Sequence, residues 1–286
     1  MIAHATATSD WFLASAGVVA VAVHAALVGG SRWRATALFG LGVAVVITAT
    51  SPPIDHAADR TFTGHMVQHL LLIVVAAPAL AAGLAGAWPA KLPIVHRVRS
   101  TTDVALFGAT ISFVTVLVAT HLTPLYDAAI RMSVLHDLEH SAYLGTAVWL
   151  WFVIGWARRA GTPTRLLAVF SVIVGTAVTG LVLLAATSPL VATYESRLGT
   201  ADALADQRRA AAVMWVATML TVVPLGLLAA WRWASTEERV ARHRERLEDA
   251  PGGSEMSDDS LEERRVRTVD RPADAQGPAS RASWES

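Results

Sequence analysis

Gly64-His65-Met66-Val67-Gln68-His69-Leu70-Leu71-Leu72 opens a long apolar run and carries two histidines four positions apart. At about 100° per residue, positions i and i+4 share one helix face, one turn along. A helix through this run therefore points both imidazoles the same way, within its first turns. His136-Asp137-Leu138-Glu139-His140 repeats the arrangement at the head of another apolar run. Two such pairs on two helices are what a site between helices requires.

Outward from these pairs, the chain reads as a membrane protein. Of its 286 residues, 53% are hydrophobic and only 16% charged, where soluble domains carry near 25% charged residues. Apolar runs long enough to cross a bilayer recur along it. The expected spans are Trp11–Val28, Ala35–Thr50, His65–Leu84, Val104–Thr120, His136–Trp156, Leu166–Thr187 and Ala210–Trp231. Ser51-Pro52-Pro53 and Ser188-Pro189 are stops, because proline offers no amide donor and restricts the residue before it. Pro224 predicts a kink in the last span. The segments around Asp55, His56, Asp59 and Arg60, around Asp127 and Arg131, and from Tyr194 to Arg209 read as polar loops.

Charge then orients the bundle. The loops after spans 1, 3 and 5 hold 2, 3 and 3 Lys or Arg, and the stretch from Arg232 holds 10. The alternate loops hold 1, 1 and 3, and no Lys or Arg precedes Arg32. The positive-inside rule gives an all-α, polytopic bundle of about seven transmembrane helices, N-terminus outside and C-terminus cytoplasmic, in the plasma membrane. Residues 1–235 form the transmembrane domain. Residues 236–286 form a charged cytoplasmic tail, expected to be largely disordered after Ala250 for want of apolar periodicity. The missing basic flank argues against a cleaved signal peptide. The basic loops determine topology and are not a nucleic-acid surface. Tryptophans near span ends (Trp11, Trp149, Trp151, Trp156, Trp215, Trp231, Trp233) read as interfacial anchors.

This topology brings His65, His69, His121, His136, His140, Tyr194 and Asp206 to similar depth on the outer side. With no cysteine in the chain, disulfides, thiol catalysis and Cys-based metal sites are excluded. Neutral imidazole suits copper, zinc and iron. The two pairs supply up to four nitrogens, with His121 and Asp206 as further candidate ligands. Glu139 and Asp206 could hold ring tautomers, and Met66, Met132 and Met214 are soft ligands that favour Cu(I). His24 reads as a packing residue of the first span. His136-x-x-Glu139-His140 also fits the H-x-x-E-H pattern of zinc peptidases, with Glu139 as base. Histidines on facing helices could instead hold haem axially, or the histidines could be structural in a scaffold.

The motifs together resemble a known family. They are His65-Met66-x-x-His69-Leu70-Leu71-Leu72 with Ala77-Pro78, His121 with Pro124-Leu125-Tyr126, and Leu135-His136-x-x-Glu139-His140 with Trp149-Leu150-Trp151. Thr179-Gly180-Leu181, Pro189, Tyr194, Asp206-Gln207 and Met214-Trp215 follow in order. From about Thr63 to Leu225 the chain is similar to the CtaG-type assembly factors of caa-type cytochrome c oxidase. Ala211 departs from the pattern, which has glycine there, and bears on how closely the last span packs. The resemblance implies a membrane-bound, non-enzymatic role in maturing a haem–copper oxidase, with oxidase subunits as partners and copper as the metal handled.

Overall fold

The computed structural model describes residues 3–29, 32–87, 103–156 and 161–248. Among them there is helix and no strand. The helices are α1 (Ala3–Val28), α2 (Trp33–Ala49), α3 (Pro52–Arg60), α4 (Phe62–Leu70), α5 (Ala77–Ala87), α6 (Asp103–His121), α7 (Leu125–Arg131), α8 (Ser133–Trp156), α9 (Thr162–Ala185), α10 (Ala192–Leu198) and α11 (Thr200–Glu248). The described helices belong to two units, divided between Trp231 and Arg232. The expected disorder of the tail after Ala250 and the basic loop from Pro89 to Arg99 lie outside the described residues.

Among the described residues, three helical stretches are long and apolar enough to cross a membrane: Phe62–Gly86, Asp103–His121 and Thr162–Ala185. A fourth results if α2 and α3, bent by 50° at their junction, count as one broken span. In α1 the described side chains give a shorter apolar stretch, Ala14–Val28. In α8 the polar first turns, with His136, Asp137, Glu139 and His140, dilute an otherwise apolar helix. The outer faces are those of a lipid-solvated bundle. Val104, Phe107, Ile111 and Val118 of α6 are exposed at helical spacing, as are Leu167, Phe170, Val174, Val178 and Leu181 of α9. In water such stripes would be an aggregation surface, whereas in hydrocarbon they cost nothing.

Several segments that read as loops are helices. Pro52 and Pro53 occupy the first turn of α3, where the missing amide is no loss. They end α2 and start the next helix at an angle. Asp127 and Arg131 lie on α7 as an i, i+4 ion pair. Tyr194 sits on α10, and the polar segment from Asp202 to Arg209 is the beginning of α11, which continues through Pro224. Short polar helices carry little apolar periodicity, and their stability comes from what they dock against.

The span opened by the first His pair is not a plain α-helix. Leu71–Ala76 is wound as a π-helical turn, in which the Ala77 amide donates to the Leu72 carbonyl five residues back. The indole N–H of Trp151 donates to the Ile73 carbonyl within this turn, at 3.0 Å. Trp151 therefore faces inward rather than serving as an interfacial anchor. Trp215 is likewise drawn in, against the cluster that includes Phe62, Met66 and Tyr194. Gly180 permits this approach, since a Cβ there would overlap the Trp215 indole nitrogen. A second cluster, centred on Leu106, Phe113, Tyr143 and Val153, joins α6, α8 and α9. His24 stacks on Phe39 with centroids 4.3 Å apart, a packing arrangement.

Candidate metal centre

The site is built where α4 begins. Thr61 is extended and caps α4, its hydroxyl accepting from the Gly64 amide at 3.0 Å. Asp206 of α11 completes the cap from 144 positions away. One carboxylate oxygen accepts from the Phe62 amide at 2.6 Å and the Thr63 amide at 3.3 Å; the other accepts from the Thr63 hydroxyl at 2.7 Å. Unpaired amides at a helix start are a natural seat for a carboxylate. Asp206 thus holds α4 in place, and both its oxygens are engaged away from the histidines. Gly64 lets α3 lie against this start, because a Cβ there would overlap the Ala57 carbonyl oxygen.

From that start, His65 and His69 turn toward α8 with their Nε2 atoms 2.9 Å apart. The His65 ring centroid lies 5.1 Å from that of His136 and 5.8 Å from that of His140. The His69 ring is 5.1 Å from His140 and 6.1 Å from His121. His65 Nε2 is 3.8 Å from the Glu139 carboxylate. Among the described residues, two sets of three side chains bring a ligand atom each within 4.8 Å of one another: His65, His136 and His140, and His65, His69 and Glu139. His65 belongs to both.

The donor set suits a borderline or soft cation. Among the described residues, buried polar atoms without a hydrogen-bond partner concentrate here: His69 Nδ1, His121 Nε2, His140 Nε2 and both oxygens of Glu139. Such atoms are costly to leave unpaired and in native proteins point to a missing partner. A bound cation accepting lone pairs from imidazole and carboxylate would satisfy that demand.

The surrounding residues fix the rings. Tyr194 donates to the Ala58 carbonyl at 2.7 Å and lies 3.3 Å from His65 Nδ1. Burial pushes its hydroxyl above the ordinary tyrosine value, so it stays protonated. His121 Nδ1 is held by the Leu117 carbonyl at 3.0 Å and the Tyr143 hydroxyl at 2.8 Å, with Tyr143 also bonded to Thr120. Its Nε2 is thereby left toward the cluster side, and His121 stands behind His69 rather than in either set of three. Tyr126 packs against His65, His121 and Phe62. Met66 and Met214 lie in the apolar cluster with Phe62, Tyr126 and Tyr194, where also Ala211 is buried. Met132 is exposed.

Three further residues, to which sequence patterns assign no role, belong to the site. Tyr143 orients His121. Gln68 donates to the Ala49 carbonyl at 2.9 Å and to Asp55 at 3.3 Å, joining the end of α2 to α3. Asp55 in turn approaches His136 Nε2 at 3.8 Å. A glutamine between two site histidines is a visible signal for Gln68; the contacts of Asp55 and Tyr143 are long-range and leave no local mark.

A family described as cytochrome c oxidase caa3 assembly factor (Caa3_CtaG) matches residues 15–236. Comparisons with curated proteins and with solved structures returned no match.

Proposed function

Because the chain belongs to the cytochrome c oxidase caa3 assembly factor family, we propose that it binds copper at the histidine cluster and delivers it to a maturing haem–copper oxidase. The observation that carries this reading is the pair of ligand sets that share His65, in which His69 Nδ1, His140 Nε2 and both Glu139 oxygens are buried without a hydrogen-bond partner. His65, His69, His136 and His140 are the ligands and Glu139 a charge-neutralising one. Copper is cargo here, not the cofactor of a reaction, and the protein is not an enzyme. Two overlapping sets allow exchange of one ligand at a time, which transfer to an oxidase subunit requires.

The same proposal includes the topology. Seven spans in the plasma membrane, with the N-terminus outside, place the cluster at the outer side, and a tail from residue 236 lies in the cytoplasm. The exposed apolar stripes of α6 and α9 support membrane residence, and the distribution of basic residues supports the orientation.

Neither rival draws similar support. A bis-histidine haem needs a flat slot between its axial rings, and these imidazoles contact one another edge to face or tilted at centroid distances of 4.2–5.8 Å. A zinc hydrolase needs Glu139 beside a water held by His136 and His140, yet Glu139 groups with His65 and His69 instead.

The test is metal and haem content of the detergent-purified protein after copper loading under reducing conditions. About one copper per chain without a Soret band, lost in the His65→Ala/His69→Ala variant, is the expected result. A Soret band, or equal copper in both samples, refutes it.

A further inference from the structure

Beside the histidine cluster lies a cavity of about 840 Å³. Its wall includes Asp55, His56, Asp59 and Asp137, and it reaches His136 and His140. Arg131 also lines it, with its guanidinium tied to Asp127. The wall is therefore acidic, and it leads to imidazoles.

Burial is graded along the way. The Asp55 side chain is 43% exposed and that of His136 is 16% exposed, while His140 and His65 are 8% and 1% exposed. The steps between them are short. His136 lies 3.8 Å from Asp55, its ring is 4.2 Å from that of His140, and His65 follows at 5.1 Å from His136. Asp55 is held in position from behind by Gln68, which is anchored on the Ala49 carbonyl. At the inner end, His140 is buried and its Nε2 has no hydrogen-bond partner.

We propose that this cavity is the loading port of the metal site, and that Asp55 with His136 forms a transient seat where an entering copper ion first sheds water. The proposal rests on the metal-binding reading above and adds the route and the residues that set its rate. A carboxylate oxygen beside an imidazole nitrogen gives an ion two ligands while most of its hydration remains. Asp59 and Asp137 do not ligate. Their charge, in a cleft with apolar walls such as Leu72 and Leu144, concentrates cations at the mouth. Passage inward exchanges oxygen for nitrogen ligands, first His140 and then His65, so the ion moves from weaker to stronger donors.

The test uses the full chain in detergent and cupric ion as probe, with binding followed by tryptophan quenching after rapid mixing. Asp59→Asn/Asp137→Asn is expected to keep the wild-type copper stoichiometry while loading about tenfold or more slowly at low ionic strength, the gap closing as salt rises. Asp55→Asn slows loading further and does so even at high salt, because a ligand is lost as well as a charge. Asp137→Lys, at an exposed position, slows loading without any change in the interior. Equal rates for wild type and these variants overturn the port. A wild type that takes up no copper overturns the metal centre and the port together, whereas wild-type uptake with loss in His65→Ala/His69→Ala retains the centre whatever the rates show.

Discussion

Replacing Asp206 with alanine separates the two roles its position allows. If Asp206 caps α4, the variant loses three hydrogen bonds, to the Phe62 amide, the Thr63 amide and the Thr63 hydroxyl. The Asp206 side chain is only 2% exposed, so water does not replace it. Cap removal costs about 0.5–2 kcal/mol in exposed helices, and hydrogen bonds to charged groups contribute about 1.5–3 kcal/mol each, without full additivity. A loss of about 2–4 kcal/mol is expected, or roughly 5–15 °C in melting temperature for a chain of this size. Arg209, 3.6 Å from the carboxylate and largely exposed, adds little. The assay is a thermal melt in detergent, paired with copper content measured well below the transition. The expected outcome is a lower melting temperature with copper stoichiometry retained; Asp206→Asn, which keeps one acceptor, falls between. An alanine variant that melts like wild type but binds no copper would refute the capping argument and return Asp206 to the ligand set.

Other changes have distinct signatures. Gly64→Ala drives a methyl into the Ala57 carbonyl, should cost about 1–3 kcal/mol by overpacking, and should weaken copper retention because the next residue is His65; a melt and a copper titration read both. Glu139→Gln replaces a buried acid that has no hydrogen-bond partner, so copper should bind more weakly while the metal-free protein melts no lower; higher copper affinity would contradict its role. Tyr143→Phe removes one of the contacts that hold the His121 ring, leaving the Leu117 carbonyl, and should change copper release more than copper stoichiometry, as measured by transfer to a chelator. Partial burial raises the proton affinity of Asp127, but hydrogen bonds from Thr193 and the charge of Arg131 outweigh this and hold its carboxyl below the usual value. Its contribution to stability is therefore present above the unfolded-state value and lost as pH falls through the lower folded one. Below about pH 4 the wild type should lose this contribution and Asp127→Asn should not; parallel melting curves for the two would count against it.

The histidine pairs are legible because helical spacing is local. One helix turn fixes which side chains share a face, so spacing alone pairs His65 with His69 and His136 with His140. Helices α3, α7 and α10 are not legible, because short polar segments become helical through docking rather than through their own pattern. Asp206 shows its depth but not its partner. A contact spanning 144 positions leaves no trace in either stretch, so a cap and a ligand look alike in sequence. Gln68 lies in plain view between two site histidines, yet its bonds to Ala49 and Asp55 depend on where α2 ends. The π turn is likewise hidden, since Leu71–Ala76 has the composition of any apolar helix.

That turn makes the span a phase shifter. Residues before it present histidines to α8, and residues after it present Ala81 and Ala85 to Phe152 and Gly83 to the Phe39 backbone. Rewinding Leu71–Ala76 as plain α-helix with every residue kept would rotate one half against the other by about 100°. Either the imidazoles or the small-residue contacts would then face the wrong way. The stretch thus accepts a one-residue deletion, which ordinary α-helical winding absorbs with both faces kept in phase, better than the plain α-helical parts of the span do, and its length carries information that its composition does not.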